Sequence, residues 1–246
     1  RSTGNQLALD MVERTLEEMR LGGIYDQVGF GFHRYSTDPE WLVPHFEKML
    51  YDQAMLVLAL TEAWQASGNP VFERTVREVI DYVLRDMTSP RGGFYSAEDA
   101  DSEGEEGLFY LWTREEVEQH LGKADAAFAA SVWNLRPEGN YADEARGQTT
   151  GRNIPHLTQT HEATAAAHQR ESGAFEERLE SVRQRLFEIR EGRVHPLKDD
   201  KVLADWNGLM AAAMARAGRV FGETTWIEAA NAATTFVLES MRDDAG

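Results

Sequence analysis

The densest concentration of reactive side chains runs from His33-Arg34-Tyr35 through Trp41 to His45-Phe46-Glu47-Lys48-Met49-Leu50-Tyr51-Asp52-Gln53. Imidazole, carboxyl, ammonium and phenol groups set this closely among apolar residues can move protons or grip a polar ligand. Buried charge is costly unless something compensates it. A helix opening near His45 would put His45, Lys48 and Asp52 on one face and Glu47 and Tyr51 on a neighbouring one, because residues three, four and seven apart align. The competing account is structural: an ion-pair network, Lys48 with Asp52 for example, that locks the helix start.

A second segment, Ser96 to Gly107, carries Glu98, Asp99, Asp101, Glu103, Glu105 and Glu106. Its first half imitates a calcium-binding EF-hand loop, but Tyr110 stands where the bidentate Glu belongs. Phe94-Tyr95 and Leu108 to Trp112 alternate with polar residues like two short strands of a hairpin. A solvated charge run is the plain reading; Glu98 and Asp101 aimed into a common site is the sharper one. A third segment joins His195-Pro-Leu-Lys-Asp199-Asp-Lys201 to Asp205-Trp206-Asn207-Gly208. Asp199 pairing with Lys201 is the structural reading there. A stacking ring beside an amide is what carbohydrates require, with C–H faces on aromatics and hydroxyls on fixed acids and amides.

Composition narrows the partners. The chain has 246 residues, 42 acidic against 25 basic, a formal charge of −17 and no cysteine. Nucleic acid and anionic membranes, which need a basic footprint, are disfavoured. Disulfides and thiolate metal sites are excluded. The strongest apolar run, Ala54 to Leu60, falls far short of the about 20 residues that span a bilayer. No phosphate loop, nucleophile elbow or metal-spaced His pair is present, so no cofactor and no metal is expected. His156, His161 and His168 are read as surface residues. The default location is the cytoplasm.

Helical stripes position these segments. Leu9, Val12, Leu16 and Met19 predict an amphipathic helix ended by Gly22-Gly23. A helix from about His45 to Ser67 follows, apolar nearly all round. Asn69-Pro70 opens a second striped helix carrying Phe72, Val76, Val79, Ile80 and Val83. Thr113 to Glu116 forms a capping box. A third round runs from Phe175 through Ile189 and Gly192 into an apolar helix from about Leu203 to Phe221, and a last helix covers Thr225 to Met241. Residues 136–170 show little periodicity and read as loop. One-striped helices alternating with all-round apolar ones predict two layers of antiparallel helices, with the long polar loops gathered at one end. The expected fold class is all-α, a partial toroid of helical hairpins with short β-hairpins in its loops, as one domain over residues 1–246.

Gly22-Gly-Ile-Tyr25, His45 to Gln53, Glu98-Asp-Ala-Asp-Ser102 and Asp205-Trp-Asn-Gly-Leu209 together resemble the YyaL family, bacterial relatives of the spermatogenesis-associated thioredoxin-domain protein. The resemblance implies an (α/α)6 toroid similar to six-hairpin glycosidases, about three and a half of its six hairpins lying in this chain. It also implies a covalently joined thioredoxin-like domain in the longer protein, which is not in this chain. Three functions follow. A glycosidase-type enzyme would use paired carboxylates among Glu47, Asp52, Asp99 and Asp101, with His33, Arg34, His45, Tyr51, Glu98, Trp112, Lys201, Trp206 and Asn207 binding a carbohydrate-like ligand. A sugar epimerase or isomerase would move a proton with His33 or His45. A non-catalytic domain would bind a sugar or a partner for the thioredoxin-like module.

Overall fold

The computed structural model describes residues 4–142, 150–167 and 171–242, which are mostly helical with short antiparallel strand pairs in the loops. The helices are α1 (Gln6–Leu21), α2 (Leu50–Ser67), α3 (Pro70–Asp86), α4 (Arg114–Leu121), α5 (Lys123–Val132), α6 (His161–Ala167), α7 (Ser172–Arg190), α8 (Ala204–Phe221) and α9 (Thr224–Ser240). Several boundaries follow from single residues. Asn5 and Asn69 accept backbone N–H groups at the starts of α1 and α3, Thr113 accepts Glu116 N–H at the start of α4, and Gly22 closes α1.

Helices α2 and α8 lie side by side, with α3 against α2 and α9 against α8, while α1 touches α2. This is an arc of helix pairs around one core of Leu50, Val57, Leu60, Phe72, Val76, Val83, Met210, Met214 and Trp226. The small residues of α8 let α9 approach closely. A Cβ added at Gly218 would lie 2.7 Å from the Glu223 carbonyl oxygen and 2.8 Å from the Ile227 side chain.

Three expectations are corrected. Helix α2 begins at Leu50 rather than near His45, because residues 44–49 are extended: Pro44–His45 (β2) pairs with Tyr35–Ser36 (β1), and Lys48–Met49 (β3) pairs with Ala97–Glu98 (β4). His45, Lys48 and Asp52 therefore share no helical face. Helix α7 does not form a hairpin with α8; it packs with α4, α5 and α6 around Trp112, Phe128, Trp133, Phe175 and Leu186, a second core that also takes in Val28. His156 and His161 are partly buried, not surface residues: His161 accepts from Arg74, and His156 lies against Ile154 and Asn140. His168 lies outside the described residues.

The acidic segment is a hairpin of different register from the expected one. Asp101–Ser102 (β5) pairs with Glu105–Glu106 (β6) across a two-residue turn in which Glu103 and Gly104 have φ of 55° and 81°. Positive φ at both central residues gives the mirror-image turn whose twist suits a tight hairpin. Trp112–Thr113 (β7) pairs instead with Arg152–Asn153 (β8). Lys198–Asp199 (β9) adds to β4, so β3, β4 and β9 form one sheet drawn from all three polar loops. That sheet sits at the starts of α2 and α8 and fixes the reactive segments together. None of the described helices is long and apolar enough to cross a membrane.

Candidate ligand-binding and catalytic site

Both inner helices pin the loops with the same device. Gln53, fourth residue of α2, accepts Phe32 N–H at 2.9 Å and donates to the Phe32 carbonyl at 2.7 Å. Asn207, fourth residue of α8, accepts Phe94 N–H at 2.7 Å and donates to the Phe94 carbonyl at 2.9 Å. Each buried amide imitates a strand partner and satisfies backbone groups that would otherwise be stranded in the core. Asn207 is thereby reassigned: its amide also donates to the Leu203 carbonyl and is committed to the fold rather than offered to a ligand.

The residues immediately before these clamps, Asp52 and Trp206, sit half-buried at the rim. Tyr51 meets Trp206 edge-on with ring centroids 4.9 Å apart. Arg34 donates to the Tyr51 hydroxyl at 3.1 Å and pairs with Glu47 at 3.0 Å. Glu47 lies 3.2 Å from His45 Nε2, while His45 Nδ1 lies 2.7 Å from Glu106 and its ring stacks on Tyr35. Arg34, His45, Glu47, Tyr51, Asp52 and Trp206 thus form one cluster from one loop and two helix starts. Within it Asp52 stands apart, because its buried Oδ2 has no hydrogen-bond partner among the described residues. Burial pushes the Asp52 carboxyl up to about 6, against the pull of Arg34 and Tyr51 and with Glu47 adding to the rise. An acid tuned to that range can give and take protons near neutrality.

A second cluster lies on the core side of the sheet. Lys48 donates to Asp26 at 2.8 Å and to the Phe30 carbonyl at 2.7 Å, and Arg190 donates to the other Asp26 oxygen at 2.9 Å. All three are buried. Burial raises the Asp26 carboxyl, but Arg190 and Lys48 outweigh it and hold it well below the usual range. Burial lowers the Lys48 ammonium, with Asp26 opposing. Lys48 therefore pairs with Asp26, not with Asp52. Gly29 makes room for the network: a Cβ there would lie 1.8 Å from the Arg190 guanidinium.

The other expected residues separate. His33 is buried edge-on against Phe46 and Tyr110, with Nδ1 3.0 Å from the Phe46 carbonyl. Burial and then Lys48 lower its pKa to about 3. That ring is neutral and walled off, so of the two histidines only His45 reaches the rim. Glu98 is buried on the network side, accepting from Tyr82 at 2.6 Å. Asp99 and Asp101 are exposed, and Asp101 connects to the cluster only as the cross-strand neighbour of Glu106. Trp112 is a core residue with Arg193 over its ring at 3.9 Å. Lys201 is exposed and paired with Asp199 at 2.8 Å. Sequence reasoning missed Asp26, Tyr82, Tyr110 and Arg190; they come from separate segments, and only Asp26 carried a local signal, next to the Gly-Gly-Ile-Tyr turn. Among the described residues no group of three or more His, Asp or Glu is placed to hold a metal ion.

No family model matches the chain. It is 39% identical to spermatogenesis-associated protein 20 of Homo sapiens, over 96% of this chain and 32% of that protein. It is 38% identical to the protein of that name from Mus musculus, with the same coverage. The chain spans about a third of the length of these relatives. Among solved structures it is similar to a D-mannose isomerase, at a TM-score of 0.37 and 13% identity, covering 97% of this chain and 54% of that one. It is also similar to a sugar epimerase from a ruminal bacterium, at a TM-score of 0.35 and 15% identity, covering 99% and 72%. The relationship carried by the four motifs is shown by the two sequence relatives.

Proposed function

We propose that this chain, a family relative of one third of spermatogenesis-associated protein 20, carries a carbohydrate-binding rim that acts on its ligand by acid–base chemistry between Asp52 and Glu47. The observation that supports this reading is the asymmetry of the two carboxyls. Asp52 has a buried oxygen without a partner among the described residues and a raised pKa, whereas Glu47 stands in an ion pair with Arg34. Glycosidic cleavage needs that division: one carboxyl protonated to donate to the leaving oxygen, one held as carboxylate. Tyr51 and Trp206 supply the aromatic faces on which sugar C–H groups pack. In the longer protein this rim works beside the thioredoxin-like domain that the family resemblance implies.

The test is hydrolysis of a panel of p-nitrophenyl glycosides, with sugar binding followed by Trp206 fluorescence. Asp52→Asn lowers kcat by about 10²–10⁴-fold while binding is kept. Activity falls as pH rises above about 6, where the Asp52 proton is lost. Wild-type turnover that survives Asp52→Asn would sink the acid assignment. A second reading, a binding domain without turnover, is favoured by the double engagement of Glu47 with Arg34 and His45. It predicts saturable sugar binding with no hydrolysis in any member of the panel.

A further inference from the structure

Behind the sheet of β3, β4 and β9, between the C-terminal ends of α3 and α7, lies a cavity of about 200 Å³ that none of the rim residues lines. Lys48, Tyr82, Glu98, Tyr110, Arg190 and Lys198 line it. By the share of volume a liquid water occupies, it holds roughly seven water volumes, enough for a small organic molecule. Two of its buried side chains carry polar atoms with no partner among the described residues: the Tyr110 hydroxyl and the Arg190 Nε–H. Lys48 spends two of its three donors on Asp26 and Phe30, leaving a third. Each of these spare groups can donate.

The charges around these donors are balanced. Lys48 and Arg190 share a single carboxylate, Asp26. Glu98 is the other buried carboxylate; it takes the Tyr82 hydroxyl and lies 3.4 Å from Lys198, which also donates to the Asp86 carbonyl. The two buried cations are thus matched by two buried carboxylates, with Lys198 partly exposed beside them. At the mouth, Asp86 is paired with Arg85 at 2.5 Å, and Glu191 lies 3.8 Å from His195. What the interior leaves unanswered is hydrogen-bond donors rather than net charge: the Tyr110 hydroxyl, the Arg190 Nε–H and the third Lys48 N–H.

We propose that this cavity binds a small molecule through an oxyanion, a carboxylate or phosphate seated on Tyr110, Arg190 and Lys48, with its body against the rings of Phe109 and Phe187. The donors are already fixed around the cavity, and hydrogen bonds from cationic donors to a charged acceptor are the strong ones.

Calorimetric titration of the protein with propionate, inorganic phosphate and neutral propionamide tests it. Propionate or phosphate binds saturably and raises the thermal midpoint; whichever binds tighter identifies the headgroup. Propionamide binds at least about tenfold more weakly, since a hydrogen bond to a charged acceptor outweighs one to a neutral acceptor by that order. The informative variant is Tyr110→Phe, which keeps the ring contacts with His33 and Phe46 and removes only a hydroxyl that has no partner among the described residues. It leaves the ligand-free midpoint unchanged or higher, yet weakens anion binding about tenfold. Lys198→Met, at a partly exposed position, weakens it less. Absence of saturable binding by both anions, equal binding of propionamide, or undiminished anion binding in Tyr110→Phe each overturns the proposal.

Discussion

On the core side of the sheet, Lys48 and Arg190 both close on Asp26 and leave neither of its oxygens free. Four residues beyond Lys48, in the first turn of α2, Asp52 keeps a buried oxygen that nothing in the described residues satisfies. The two clusters are built from similar side chains, yet one spends its charges on the fold and the other holds one back. A carboxylate paired on both oxygens fixes geometry, while a half-paired acid at a rim is what a reaction or a ligand requires. The difference teaches that proximity in sequence did not decide the roles. The alternation of the extended stretch 44–49 did: Lys48 is buried on the core side and Glu47 is left at the rim.

The sharpest way to break this contrast is to attack the paired cluster. Asp26→Ala leaves Lys48 and Arg190 as buried cations without their carboxylate, a loss of about 3–5 kcal/mol by analogy with broken buried pairs. Urea denaturation should show it, and a loss under 1 kcal/mol would mean that the network is not structural. Asn207→Ala comes next. It strands the Phe94 N–H and carbonyl, at about 2 kcal/mol, while sugar binding by the folded protein is unchanged. A binding defect without a stability defect would return Asn207 to the ligand site.

Much of this architecture was legible along the chain. The stripes of α1 and α3, the Gly22 stop, the Asn69-Pro70 start and the Thr113 cap are local, and each predicts its boundary. The gathering of the polar loops at one rim also followed from alternating helix types. The start of α2 was not legible, because what holds residues 44–49 extended is pairing with segments far away, Tyr35–Ser36 and Ala97–Glu98. For the same reason Lys48 was placed beside Asp52 rather than Asp26, and Trp112 and Asn207 were assigned to a ligand although the core takes them. Aromatic and amide residues look alike in sequence whether a ligand or a backbone uses them.

Titration sharpens the comparison more gently. The Asp52 carboxyl is raised to about 6 in the fold, so between about pH 4 and 6 the folded state binds more protons than the unfolded chain. Its contribution to stability falls as pH rises through that window and is flat above it. The size is on the order of 1 kcal/mol, discounted because solvent reaches the site. His33, lowered to about 3 by burial, works in the opposite sense: the unfolded chain takes up its proton below about 6.5 and stability is lost as pH falls. The quantity to measure is therefore the stability of wild type minus that of Asp52→Asn across pH 4–7. That difference should decline with rising pH, and a flat difference would mean that Asp52 carries no raised pKa.

The smallest expected effect belongs to Lys201. Its ammonium meets Asp199 at 2.8 Å, but both side chains are open to solvent, where salt and side-chain entropy cancel most of the attraction. The structural duty of Asp199 falls to its backbone, whose carbonyl accepts from the Ser96 hydroxyl at 3.0 Å and the Ser96 N–H at 3.1 Å; both bonds survive any change at Lys201. Lys201→Ala should therefore leave the thermal midpoint, sugar affinity and anion affinity all unchanged, at low and at high salt. A loss of sugar affinity in this variant would extend the rim beyond Trp206 to β9, and the boundary between the two clusters would have to be redrawn at the edge of the sheet.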